Sequence, residues 1–116
     1  MQAAVIEEPG KLTLMDVPDP SPGPYECLCR MTYCATCTST DKKLLHDDTP
    51  WENSYPSVLG HESVGEVVEV GEKVRSFAEG DIVLRPAGIL VNEERGGYGS
   101  LWGGLAEYGV VVDAAA

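Results

Sequence analysis

Gly60-His61-Glu62-Ser63-Val64-Gly65 decides how this chain is read. A His-Glu pair sits between glycines. Tyr55-Pro56-Ser57-Val58-Leu59 leads into it, and Glu66-Val67-Val68-Glu69-Val70-Gly71 leads out. Imidazole and carboxylate are both good ligands for a borderline metal such as zinc. Cys37, 24 residues upstream, offers a thiolate that completes a Cys/His/Glu set. The flanking glycines let the backbone pass close to a metal or ligand without a Cβ in the way.

At 116 residues the chain has the length of one domain. A chain of this size buries about two-thirds of its unfolded surface, enough for one core. Its 43% hydrophobic and 23% charged residues are ordinary for a globular protein. No run of about 18 apolar residues exists, so no transmembrane helix and no membrane partner are expected. Met1 to Glu8 has neither a basic start nor a long apolar stretch, so no secretory signal is read there and the expected setting is cytoplasmic. The formal charge of −11 excludes nucleic acid as a partner, because phosphate binding needs Lys and Arg.

Short β-rich runs separated by turn residues dominate the pattern. Ala3 to Ile6 and Lys11 to Val17 form a hairpin across Glu8-Pro9-Gly10. The proline-rich segment from Pro18 to Pro24 is an extended loop, since proline donates nothing to a β-ladder. Tyr25 to Thr36 is the longest candidate strand. Thr40 to Leu45 predicts one or two helical turns, with Thr or Ser at the cap. Ser63 to Val70, Asp81 to Leu84 and Leu105 to Val112 complete the strands. No internal repeat is present. Many short strands with little helix point to a small β-barrel or sandwich.

Four cysteines, Cys27, Cys29, Cys34 and Cys37, fall within eleven residues. Cys27 and Cys29 alternate on one strand face and read as small apolar residues. A four-thiolate metal site and a Cys34-x-x-Cys37 redox pair are the rival readings; the redox pair lacks a thioredoxin-like βαβ context. The glycine-rich run Gly96 to Gly104 fails the dinucleotide motif, because Trp102 stands where the last glycine is required. It reads as a flexible loop leading into the final strand. Catalytic zinc keeps three protein ligands and one open position, and acts there as a Lewis acid toward a substrate oxygen. Hydride removal from an alcohol then needs an acceptor, normally nicotinamide.

Gly60-His61-Glu62-x-x-Gly65, Gly71-x-x-Val74 and Gly80-Asp81-x-Val83 together resemble the N-terminal domain of zinc-dependent alcohol and polyol dehydrogenases. These belong to the medium-chain dehydrogenase/reductase superfamily, and the likeness runs from Met1 to Val112. The resemblance implies a mostly β, GroES-like, partly open antiparallel barrel with one or two short helices. It implies one catalytic Zn²⁺ on Cys37 and His61, with Glu62 either binding the metal or sitting behind the ligands. No structural zinc is expected, since residues 86–104 contain no cysteine. The family's usual Cys-Gly-Ser/Thr-Asp becomes Cys37-Thr38-Ser39-Thr40-Asp41, with one extra residue. Aligned on Thr40-Asp41, the proton-relay hydroxyl falls on Thr40 and the carboxylate that orients His61 on Asp41; aligned without the insertion, the hydroxyl falls on Ser39. Lys43 occupies the place of a relay histidine, and His46 lies three residues further on.

Relatives continue into a nucleotide-binding Rossmann domain that binds NAD or NADP, which this chain is expected to lack. The parent would oxidise a small-molecule alcohol, polyol or sugar and form a homo-oligomer, while the 116-residue piece alone would be inactive. A zinc-free reductase of the same superfamily and a co-chaperonin-like, non-enzymatic barrel are the other expectations for the same fold.

Overall fold

The computed structural model describes residues 1–46, 55–84, 86, 94–95, 98–100 and 103–116. Nine strands and one helix are assigned among them: β1 (Gln2–Glu8), β2 (Lys11–Asp16), β3 (Glu26–Ala35), α1 (Thr40–Leu45), β4 (Ser57–Val58), β5 (Glu62–Val70), β6 (Ile82–Leu84), β7 (Glu94–Arg95), β8 (Tyr98–Ser100) and β9 (Tyr108–Val112). They form a five-stranded sheet, β2-β1-β4-β8-β7, and a four-stranded sheet, β6-β5-β3-β9. All pairings are antiparallel except β4 with β8. This is the expected mostly β, partly open GroES-like barrel with a short helix after Cys37.

The β1–β2 hairpin closes on Pro9-Gly10, with Glu8 opposite Lys11. Proline presets the φ of the first turn position, and Gly10 at φ +81° supplies the left-handed second one. The Gly10 amide also donates to the Leu45 carbonyl at 2.7 Å, which fixes the end of α1 to the hairpin. Along β1, neighbouring Val5 and Ile6 are both buried. Successive side chains face opposite ways, so this strand is covered on both sides. Val5 packs with Ala3, Val17 and Val58. Ile6 packs with Leu44 of α1 and with Leu59. The second sheet buries Cys27 and Cys29 of β3 against Val67 and Val83.

Two expectations need correction. The last strand begins at Tyr108, not Leu105. Leu105 instead bonds the other sheet, its amide to the Leu59 carbonyl and its carbonyl to the Ala4 amide, both at 2.8 Å. Ala106 bridges Ala3. The chain therefore crosses between the sheets before β9 starts. The supposed flexible glycine-rich run contains β8, which pairs with β4 in parallel. Residues 96, 97, 101 and 102 lie outside the described residues, as does the Asp47-to-Pro50 segment.

Asp113, just past β9, ties the β5–β6 connection to the end of the chain's last strand. Its buried carboxylate accepts the amides of Arg75 (2.7 Å), Ser76 (2.8 Å) and Ala115 (3.1 Å). The Arg75 amide first, then that of Ser76, holds the carboxyl down to about 2 from an ordinary 3.8. A folded-state value below the unfolded one contributes stability that is present above the unfolded value. It is lost as the pH falls from about 4 toward 2. Asp113→Asn is expected to be less stable at neutral pH and to lose less on acidification. Urea midpoints across that range check this; parallel loss in both proteins would contradict it.

Candidate metal centre

β3 and β5 pair antiparallel, with Ala35 opposite Glu62. That register places the end of β3 beside the start of β5. Cys37 lies two residues beyond Ala35, and His61 one residue before Glu62, so residues 24 apart in sequence are neighbours in space. One ligand atom from each of Cys37, His61 and Glu62 lies within 4.8 Å of the others. Among the described residues this is the single grouping of three or more metal-capable side chains.

Adjacent residues on a straight strand point to opposite faces, so His61 and Glu62 converge only if the chain bends. It does: His61 sits on a bend and the strand begins at Glu62. Gly60, at φ +103°, makes the bend possible. A Cβ there would stand 2.7 Å from Cys34 Sγ and 2.9 Å from the Leu105 amide nitrogen, so both conformation and space demand glycine.

Asp41 is the second anchor. It is buried on α1, and its Oδ2 accepts the Cys37 amide at 2.7 Å. The Asp41 amide returns a bond to the Cys37 carbonyl at 3.1 Å. Its other oxygen, Oδ1, lies 3.5 Å from His61 Nδ1. That oxygen is buried without a hydrogen bond among the described residues, an arrangement that a slight inward movement of His61 would satisfy. On the far side of the ring, His61 Nε2 stands 3.9 Å from Glu62 Oε1. That is too long for a hydrogen bond. It is close to the roughly 3.3–3.8 Å that separates two ligands of one tetrahedral zinc with bonds of 2.0–2.3 Å. The donor set therefore fits a zinc ion: one thiol, one imidazole and one carboxylate, with the imidazole's other nitrogen turned to a buried carboxylate.

The remaining expected site residues surround this trio. Ser39 stands at the helix N-cap, but its side chain makes no capping bond. Ser39 is in the right-handed helical region (φ −81°, ψ −70°) instead of the extended one of a capping residue, and the Asp41 amide already bonds the Cys37 carbonyl, so the expected hydroxyl cap is not used. Thr40 is half-buried at the first residue of α1, whereas Ser39, Lys43 and His46 are exposed. Cys27 and Cys29 sit in the core, 0% exposed. Burial pushes the Cys29 thiol up to about 11 and raises that of Cys27. Neither belongs to a grouping of ligand atoms close enough to share a metal, so no four-thiolate cluster is found among the described residues. Cys34 packs beneath Gly60 and is outside the trio.

Sequence reasoning missed a cavity of about 410 Å³ beside the trio, lined by His61, Glu62, Ser63, Val64 and Leu84. Val64 stands opposite Leu84 across the β5–β6 ladder. The alternation of β5 was a usable signal for Val64, but the pairing register was not readable from sequence.

The alcohol dehydrogenase GroES-like domain model matches residues 23–116. The chain belongs to that family. It is 41% identical over 78 residues to the NADP-dependent isopropanol dehydrogenase of Thermoanaerobacter brockii, a match covering 67% of this chain and 22% of the relative. An alcohol dehydrogenase superfamily protein from Novosphingobium aromaticivorans superposes with a TM-score of 0.77 at 33% identity, covering 98% of this chain and 32% of that one. Haloferax mediterranei glucose dehydrogenase, solved with NADP, Zn and gluconolactone, superposes with a TM-score of 0.71 at 25% identity, over 97% and 37% of the two chains. The match thus spans about a fifth of that relative's length. No helix among its described residues is long and apolar enough to cross a membrane.

Proposed function

We propose that this is the metal-binding catalytic domain of an NAD(P)-dependent alcohol dehydrogenase-type oxidoreductase. The observation that carries the reading is the convergence of Cys37, His61 and Glu62 ligand atoms within 4.8 Å. Cys37 and His61 would hold one Zn²⁺, with Glu62 as third ligand or as a carboxylate behind the others. Bound there, the ion would supply Lewis acidity toward a substrate hydroxyl.

The chain's own groups have separable tasks. Asp41 turns Oδ1 toward His61 Nδ1 and holds the Cys37 backbone with Oδ2, so the two ligands keep one mutual geometry. Thr40 takes up the alcohol proton and passes it outward; its half-buried place at the head of α1 favours it over exposed Ser39. Lys43, exposed one turn along the helix, would carry that proton to solvent. Hydride transfer needs its acceptor held in contact with the substrate carbon. We assign the binding of NAD or NADP to a Rossmann domain outside these 116 residues, and homo-oligomerisation to the whole protein. The substrate is a small-molecule alcohol. The zinc-free reductase and co-chaperonin-like alternatives leave the convergence of three ligand side chains without a purpose.

Zinc content tests this reading. After saturation with ZnCl₂ and gel filtration, the protein is expected to retain about one zinc per chain, as a single site of this donor set requires. Retention of none by correctly folded protein would contradict the reading.

A further inference from the structure

We propose that Gly104 is a positioning residue of the metal centre, gripping the chain immediately before and immediately after the His61–Glu62 pair. The inference rests on the metal-centre reading above and names what fixes the aim of two of its ligands.

The grip is made of backbone and close packing. The Gly104 amide donates to the Gly60 carbonyl at 2.8 Å, one residue ahead of His61. On the other side of the pair, Gly104 lies against Ser63. A Cβ on Gly104 would stand 2.7 Å from Ser63 Cβ, 2.9 Å from its Oγ and 3.1 Å from the Gly60 carbonyl oxygen. Gly104 is buried, and unlike its neighbour Gly103 it has no positive φ. The demand for glycine at 104 is therefore one of space.

The surroundings hold this grip in place. Next to it, the Leu105 amide bonds the Leu59 carbonyl, and the Leu105 carbonyl accepts the Ala4 amide of β1, both at 2.8 Å. Ser63 is buried, and its hydroxyl donates to the Pro86 carbonyl at 3.2 Å. Interiors packed this closely transmit a displacement rather than absorb it. A methyl at 104 would push on Ser63 Cβ, an atom fixed to the backbone that no rotamer change removes, and Glu62 would move with it. Metal ligands must be held to within about 0.5 Å, and groups that support them from behind commonly set 10–100-fold in affinity.

The test compares Gly104→Ala with Gly71→Ala. The added methyl of Gly71→Ala would meet three backbone oxygens at 2.7 Å or less, at the far end of β5 from Glu62. Gly104→Ala is expected to lower zinc affinity about ten-fold or more. It should also shift the visible bands of the Co²⁺-loaded chain, which report coordination geometry. Gly71→Ala should keep native affinity and native bands in its folded form, although it is less stable. Gly104→Ala with Ser63→Gly, which removes the atoms the methyl meets first, should recover the native bands. A second measurement needs no substitution and decides the matter if Gly104→Ala does not fold. In the native chain, zinc should slow deuterium exchange of the Gly104 amide about ten-fold or more, because the opening that frees it also disrupts the site. The Gly80 amide, which bonds the Val67 carbonyl at 2.8 Å, should slow less. Native affinity and bands in Gly104→Ala would overturn the proposal alone, as would equal slowing at Gly104 and Gly80. Absence of any Co²⁺ bands in the native chain would overturn the metal-centre reading and the proposal with it.

Discussion

Cys37→Ala and His61→Ala are each expected to lower zinc affinity by about a hundred-fold or more, leaving no zinc after gel filtration. Losing even a supporting residue behind a metal ligand typically costs 10–100-fold. Losing a direct ligand from a three-ligand site removes more. Asp41→Asn is expected to fall within that 10–100-fold range, because it weakens the hold on His61 and on the Cys37 amide together. Glu62→Gln distinguishes its two possible places. A direct ligand would show a loss like that of His61→Ala, and a carboxylate behind the ligands a smaller one. Competition titration against a chromophoric chelator measures all four. Full zinc stoichiometry and native affinity in Cys37→Ala or His61→Ala would contradict the assignment.

Gly71→Ala is expected to be strongly destabilising. A Cβ at Gly71 would stand 2.5, 2.6 and 2.7 Å from the carbonyl oxygens of Pro24, Gly23 and Glu26. All three are backbone atoms, so no side chain can rotate away. The Gly71 amide bonds the Glu26 carbonyl at 2.9 Å, and the Lys73 amide bonds that of Pro24 at 2.8 Å. Relieving the clash requires breaking these bonds, which join the proline-rich loop to the end of β5. Overpacking commonly costs about 1–3 kcal/mol, and a rigid backbone neighbour puts this case at about 3 kcal/mol or more. Gly80→Ala is the control: it has positive φ but nothing within 4 Å. It should cost only the left-handed backbone penalty, about 1–2 kcal/mol. Urea denaturation of both variants checks the order. A Gly71→Ala protein as stable as Gly80→Ala would show that the loop moves freely.

Residues with strong local signals were legible in the sequence. Pro9-Gly10 announced its turn, and the alternation around Cys27 and Cys29 put both on one strand face. The helix Thr40–Leu45 lies where its pattern places it. The short strands β4, β7 and β8 were not legible, because strands of two or three residues are too short for an alternating pattern to register. Leu105 misled for another reason. Its apolar character suits either sheet, and only tertiary pairing with Leu59 and Ala4 decides which. The site followed the same division. Ligand types could be read residue by residue, but their convergence depends on Ala35 standing opposite Glu62 and on the bend at His61. The bond from the Cys37 amide to Asp41 required the helix to be in place. The Val64–Leu84 wall required the β5–β6 register.

The central claim is that Cys37 and His61 bind one zinc, with Glu62 as third ligand or as a carboxylate behind them. Zinc K-edge X-ray absorption fine structure of the zinc-loaded chain tests it most directly. The account predicts one sulfur at about 2.3 Å, with the remaining nitrogen and oxygen ligands at about 2.0–2.2 Å. A shell of several sulfurs, or none, would contradict it.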